Sequence, residues 1–516
     1  MGNSPGRTSV ALGWILPAAL VFVAAAGLAW VRGFDGLYGQ DAFGYVNYAL
    51  GPLRAAMLHG EALPAFQQPP GFPMVVAAAS LVVGPDGRIG LAVSVVAGAL
   101  VPVLTGLLAV EALTGRLSGR AAVAVPLAAA GVAALPGQLW QSSAVAMSDT
   151  LSIALATAGA WAVCRFVRTE RTRWLLLAAA LVAAAIETRW VFGLVAIPIG
   201  VVGLVGLRRV WARDRRAAVG GAIGAVVFGG VVLAPIGLPM ANALRDGSAV
   251  PFAADFGAYH WDALNALRTT FDTSDGRLVH PLPSGIFYLG QAVAPYWFGP
   301  LGLLAIWGGT WVVRRAGLVA ATVLVGWPAL VVVFLAGSPY QNTRFFLSAL
   351  PPVAVLIALG LWRAAVAVRR RNPPDRRRVA AVIGGVFVVA WVAGAIVVAG
   401  RFTDAFIARQ VADLTAIRNL EARVPAGARL ISMGPTGVFV RDGLPDVVEL
   451  FDLDPAAATT LVADPPPSYL VIDADAIAGQ WAGLEPSRTV EAIRASRGLT
   501  RIDEAGAWTV YRIGSP

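Results

Sequence analysis

The run Phe72-Pro73-Met74-Val75-Val76-Ala77-Ala78-Ala79-Ser80-Leu81-Val82-Val83 decides how this chain is threaded. It is apolar throughout except for Ser80, yet twelve residues give only about 18 Å of helix, against roughly 30 Å of bilayer hydrocarbon. Counted as a span, it sends every later loop to the opposite side of the membrane. The arginines decide the question, because short cytoplasmic loops collect positive charge. With 72–83 left out, five inner loops hold Arg116 and Arg120; Arg165, Arg168, Arg171 and Arg173; Arg208, Arg209, Arg213, Arg215 and Arg216; Arg314 and Arg315; and Arg363, Arg369 to Arg371 and Arg376 to Arg378. With Arg7 these make 21 of the 29 arginines that precede residue 401. A span at 72–83 would export nearly all of them, so this run is expected to lie as a short helix against the outer face.

Working outward from that run, apolar stretches of spanning character fall near 11–31, 89–110, 121–136, 150–164, 174–186, 190–207, 217–237, 286–312, 317–336, 345–362 and 379–400, about eleven spans. The first is read as a retained signal anchor, which puts the N-terminus in the cytoplasm. The expected external loops are 32–88, 137–149, 187–189, 238–285 and 337–344, together with the tail after residue 400. Composition agrees: of 516 residues 57% are apolar and only 14% charged, with a mean hydropathy of +0.69. The net charge of +10 is topological rather than a nucleic-acid footprint, since all 40 basic residues are Arg and most sit between apolar runs. Arginine in place of every lysine, with abundant Ala, Gly and Val, suggests a GC-rich bacterial genome. The single Cys164 excludes a disulfide framework and any Cys-based zinc or iron-sulfur site, so a divalent metal, if used, would take Asp, Glu or His ligands.

The tail changes pattern. Residues 402–424 read as helix, 428–433, 447–451 and 469–473 as strands, 476–496 as helix and 508–513 as strand. The chain is thus expected to be an α-helical polytopic membrane protein, 1–400, followed by a small extracytoplasmic α/β domain, 401–516. The tail holds no glycine-rich nucleotide loop, its nearest stretch being Gly434-Pro435-Thr436-Gly437. It is expected to recognise an acceptor or to brace the outer loops.

Residues able to do chemistry gather on the expected outer face. Asp41, Tyr45 and Tyr48 share one helix face just after the first span, where Asp41 is also suited to capping that helix. Gln67-Gln68-Pro69-Pro70-Gly71 breaks the chain before the short helix. Ser148-Asp149 precedes the fourth span, where either side chain is suited to capping. In Glu187-Thr188-Arg189, an outer-side arginine gains nothing from the charge rule and needs a partner, either an acid of the chain or a lipid phosphate.

These pieces, in this order over residues 10–362, resemble the bacterial GT-C glycosyltransferases that use polyprenyl-phosphate sugars, near glycosyltransferase family 39, the protein O-mannosyltransferases and the lipid A aminoarabinose transferases. The matching parts are Gly39-Gln40-Asp41-Ala42 to Tyr45, Pro69-Pro70-Gly71-Phe72-Pro73, Ser148-Asp149 and Thr188-Arg189. Looser parts are Ala294-Pro295-Tyr296-Trp297, like the family's aromatic re-entry into the membrane, and 341–352 with Arg344-Phe345, like its Arg-Tyr stretch. Two departures stand out: Asp41-Ala42 replaces the Asp-Glu pair of many relatives, and Gln68 stands where His is frequent.

The resemblance implies a plasma-membrane enzyme of cell-envelope glycan biosynthesis. It would transfer a sugar from a polyprenyl-phosphate donor to a protein, lipid or polysaccharide acceptor at the outer face, with inversion. Asp41 would be the base, Asp149 would bind acceptor or donor hydroxyls or orient the site, Arg189 would stabilise the phosphate with Arg344 as a second phosphate ligand, and Tyr45, Tyr48 and Gln68 would be substrate contacts. No metal is required by this scheme, although His260, His280 and Asp262 lie near the aromatic re-entry. The competing readings are a lipid or sugar transporter or flippase, and a catalytically inert assembly subunit. A transporter would place ionisable groups at mid-span, whereas here they lie at outer helix ends.

Overall fold

The computed structural model describes residues 7–247, 260–273, 275–371 and 373–514. Part of the expected outer loop 238–285, residues 248–259, lies outside that set.

Among the described residues eight helices are long and apolar enough to cross a membrane: Gly13–Val31, Arg88–Ala112, Asp149–Thr169, Trp190–Trp211, Arg215–Val232, Leu318–Ala336, Thr343–Arg371 and Arg376–Glu421. The chain is a multi-pass helical membrane protein. The other three expected spans take different forms. Residues 121–136 belong to a broken pair, Ala121–Ala134 and Gly137–Ser143, bent by 64°. Pro136 has no N–H to give the ladder and disfavours helix at the residue before it. The run at 174–186 is the core of a 17-residue helix, Thr172–Thr188. The stretch 286–312 is not one helix, which corrects the count of about eleven: it is split into Ser284–Gly290, Gln291–Val293, Gly299–Leu303 and Leu304–Trp311. Pro295 and Gly299-Pro300 sit at its breaks, with Gly299 at φ +54°.

The deciding run is the separate 13-residue helix Gly71–Val83, too short to span. Its start is pressed against the end of Thr172–Thr188: a Cβ on Gly71 would lie 2.6 Å from the Glu187 carbonyl oxygen and 2.7 Å from the Thr188 nitrogen. Only glycine allows that approach, and it sets the Gln68 loop beside Arg189.

A second cluster holds the helices together among the expected inner loops. The buried Glu111 carboxylate accepts from Arg165 Nη1 at 2.9 Å and from Arg168 Nε and Nη2 at 2.7 and 2.9 Å. Both arginines keep more than a third of their side-chain surface in solvent, which reduces the net gain. Glu111→Ala should therefore cost about 1.5 to 3 kcal/mol, the range for bonds to charged groups. A lowered melting temperature of the detergent-solubilised protein would show it, and an unchanged one would mean that the cluster adds nothing.

Beyond the spans, a short hairpin pairs β1 (Thr270–Thr273) with β2 (Gly276–Val279). The tail forms a five-stranded sheet of β3 (Arg429–Ser432), β4 (Val447–Glu449), β5 (Ser468–Asp473), β6 (Leu499–Ala505) and β7 (Trp508–Ile513). The strand order is β4-β3-β5-β7-β6, with β3 parallel to both its neighbours and β7 antiparallel to both of its own. Side chains alternate across β5: Leu470 and Ile472 enter a core closed by Trp481, Val490 and Ile493, while Tyr469 and Val471 face the opposite way. The helix expected at 476–496 is two, Ala474–Ala478 and Glu485–Arg497, separated by Gly479 and by Gly483 at φ +73°.

No break marks residue 400. The helix Pro374–Glu421 runs 48 residues, about 72 Å at 1.5 Å per residue, and passes through that position. The tail's second apolar face is shared, because Leu430, Val471, Val438 and Phe439 belong to one cluster with Phe43, Val46 and Phe72. Asn47 Nδ2 donates to the Gly437 carbonyl at 3.0 Å, and the Gln480 amide reaches the Asp275 carbonyl in the hairpin turn.

Candidate active site

One end of the bundle collects the short helices Gly39–Tyr48 and Gly71–Val83, the start of Asp149–Thr169, the end of Thr172–Thr188 and the start of the 3-10 turn Thr343–Ala349. Between them lies a cavity of about 890 Å³ lined by Asp41, Tyr45, Gln68, Asp149, Arg189 and Arg344.

Each acid is free of helix capping, against expectation. Tyr38 is the N-cap of Gly39–Tyr48 and Ser148 that of Asp149–Thr169, and neither helix has a side-chain cap. The carboxylates turn instead to arginines. Arg344 Nη2 donates to Asp41 Oδ2 at 3.2 Å, and Gln68 Nε2 donates to Asp41 Oδ1, also at 3.2 Å. Arg189 Nη1 pairs with Asp149 Oδ1 at 2.8 Å and lies 3.4 Å from Ser148 Oγ. Of the two partners weighed for Arg189, the acid of the chain is the one in place. Glu187, two residues earlier, faces away and accepts the Ile236 N–H at 3.0 Å.

The two acids differ in access. The Asp41 side chain is 41% exposed and that of Asp149 only 5%. Asp41 can therefore meet a ligand in the cavity, while Asp149 sits behind Arg189 with its Oδ2 buried and unpartnered. The arginines are held by local structure. Arg189 follows Thr172–Thr188 in extended backbone, φ −157°, which turns it out of the helix. Arg344 begins a turn capped by Asn342, whose Oδ1 accepts the Arg344 N–H at 3.0 Å, and Thr343 Oγ1 donates to Gln138 Oε1 at 2.7 Å. The Phe345 ring lies 5.6 Å from both guanidinium carbons and so stands between the cations.

Tyrosines complete the polar wall. Tyr45 OH is 3.4 Å from Ser148 Oγ, and burial pushes its phenol up to about 12. Arg344 Nη1 donates to Tyr38 OH at 3.3 Å, and burial raises that phenol also. Both stay protonated near neutral pH, so they serve as donors and not as bases. Tyr48 is not brought into this cavity: it stacks on Phe66 at 4.1 Å and donates to the Pro64 carbonyl at 2.7 Å, holding the loop before Gln68. Tyr38 and Phe345 were not singled out from sequence as site groups. An aromatic in the loop after the first span and one beside Arg344 are the signals that point to them.

His260 and His280 also line the cavity, and the His280 ring lies 3.2 Å from the Pro339 carbonyl. Asp262 instead caps its own turn, accepting the Leu264 N–H at 3.0 Å. Among the described residues no three His, Cys, Asp or Glu side chains come together as a metal site. The cavity lining also has an apolar part, with Ile153, Leu194, Val331, Phe334 and Leu335 from spanning helices. A cavity lined by two arginines and by apolar side chains of spanning helices suits an anionic head on an apolar chain.

Residues 67–233 match the family model for dolichyl-phosphate-mannose-protein mannosyltransferases. The fold is shared with a Cupriavidus metallidurans ArnT crystallised with undecaprenyl phosphate, at TM-score 0.57 and 14% identity, over 99% of this chain and 100% of that one. The apo form of that ArnT aligns at TM-score 0.58 and 16% identity, over 98% and 99% of the two chains. An Archaeoglobus fulgidus oligosaccharyltransferase tethered to an acceptor peptide aligns at TM-score 0.60 and 12% identity, over 99% of this chain and 74% of that one. No curated protein gave a significant match. The GT-C fold implied by the sequence resemblance is the fold found.

Proposed function

We propose that this chain is a plasma-membrane glycosyltransferase that moves a sugar from a polyprenyl-phosphate donor to an acceptor at the outer face. The observation that carries the reading is the convergence of Asp41 with Arg344, and of Asp149 with Arg189, on one cavity with an apolar wall. In that scheme the donor's lipid lies along the apolar wall and its phosphate meets the guanidinium groups, which form bidentate, charge-assisted bonds to such oxygens. Asp41 takes the proton of an acceptor O–H or N–H as that heteroatom bonds to the anomeric carbon. The bond from that carbon to the phosphate oxygen breaks, its electron pair leaving on the phosphate, where Arg189 stabilises it. A single displacement of this kind inverts the anomeric centre. Asp149 fixes Arg189, and Gln68 and Tyr45 offer hydrogen bonds to sugar hydroxyls.

Deleting the gene should remove one envelope glycan and leave polyprenyl-phosphate sugar accumulating in the membrane lipid fraction. Unchanged glycans and donor pools would contradict the reading and favour a transporter or an inert subunit.

The same proposal fixes orientation, with Asp41, Asp149, Arg189 and residues 401–516 outside and the N-terminus inside. Alkaline phosphatase fused after Pro516 should be active. An inactive phosphatase together with a fluorescent GFP fusion at the same point would invert the map and move the site to the cytoplasm.

A further inference from the structure

Two carboxylates and two guanidinium groups, Asp41, Asp149, Arg189 and Arg344, make a quartet of zero net charge before anything binds. A phosphodiester brings a negative charge beside two carboxylates, and it reaches a guanidinium at least electrostatic cost by displacing one of them. The two pairs are unequal in how readily they can be displaced. Arg189 and Asp149 are joined at 2.8 Å with the acid 5% exposed, and an Asp149 stripped of its partner would be a buried, uncompensated charge. Arg344 and Asp41 are joined at 3.2 Å with the acid 41% exposed, so Asp41 can return to solvent at little cost.

We infer that Asp41 holds the phosphate's place on Arg344, and that donor binding releases it to act as base. This rests on the function proposed above and adds a binding order to it. In the structure Asp41 is latched at both oxygens, by Arg344 and by Gln68. A phosphate oxygen on Arg344 takes over one of those bonds. Asp41 is then free on one oxygen, facing the cavity beside the anomeric carbon, at the moment an acceptor is useful. The donor therefore binds first and the acceptor second, and the base is unlatched only when a sugar is there to be transferred.

The inference predicts the opposite of what a simple binding role for Asp41 would give, because removing the acid's charge should tighten donor binding. The test uses the full-length protein in phosphatidylcholine nanodiscs, titrated with radiolabelled undecaprenyl phosphate. Asp41→Asn and Asp41→Ser should each bind at least about tenfold more tightly than wild type, equivalent to ~1.4 kcal/mol. Asp503→Asn, which breaks the exposed pair with Arg423 in the tail, should bind like wild type. Equal or weaker binding by both Asp41 variants, with wild-type melting temperatures, would overturn the place-holder while leaving the glycosyltransferase reading intact. A wild-type protein with no affinity for undecaprenyl phosphate would remove both.

Discussion

Asp41→Asn should lower the turnover of glycosyl transfer by about 10² to 10⁴, the range for loss of a positioned general base. The amide keeps the carboxylate's shape and can still accept from Arg344, but it cannot take a proton. Neither the two neighbouring tyrosines nor Asp149 is placed to substitute. Tyr38 and Tyr45 have phenols raised by burial, the latter to about 12, and Asp149 is enclosed behind Arg189. The loss should fall on kcat, with acceptor KM little changed, because the proton moves only as the transition state forms. Near-normal turnover by Asp41→Asn would remove it as the base and shift the role to Asp149.

The second large effect concerns the leaving phosphate. Arg189→Met combined with Asp149→Asn should leave a folded protein whose transfer rate is down by about 10² to 10³, the cost of removing one donor aimed at developing negative charge. The double change matters because Arg189→Met alone strands the 5% exposed Asp149 carboxylate, which by itself costs about 3 to 5 kcal/mol of stability. A single variant that unfolds therefore says little about chemistry, whereas the neutral pair tests it. Thermal melting close to wild type, together with transfer close to wild type, would show that Arg189 serves only to hold Asp149.

Much of this architecture was written in local chemistry. The short helix Gly71–Val83 was readable because hydrocarbon thickness sets a minimum length and the arginines record topology independently of it. Asp41, Gln68, Asp149, Arg189 and Arg344 stand out because charge and amide groups at helix ends are exceptions to an apolar pattern. What stayed hidden depended on distant partners. No periodicity joins Asp41 to Arg344, 303 positions later, and nothing in Ser148-Asp149 says that its acid will prefer Arg189 to its own helix terminus. Tyr48 was assigned by its helical spacing from Asp41 and Tyr45, but Phe66, eighteen residues further on, captures its ring. The span expected at 286–312 failed because hydropathy sums over a window and does not register where Pro295 and Pro300 interrupt the backbone ladder. Residue 400 marks a change in composition, and composition carries no information on whether a helix continues through it.

That continuous helix makes the protein's surroundings part of its mechanics. A bilayer that does not match an apolar segment in thickness is accommodated by tilt. In Pro374–Glu421 there is no hinge to absorb it, so the angle taken within the lipid is passed on to the five-stranded sheet beyond. Along the way the rod presses on the loop that follows the first span, with Asp404 paired to Arg32 and the Phe406 ring set edge-on to Tyr38 at 5.0 Å. Tyr38 in turn receives a hydrogen bond from Arg344. Bilayer thickness, a property of the host lipid, thereby becomes a mechanical input that ends two contacts later on the Arg344 guanidinium.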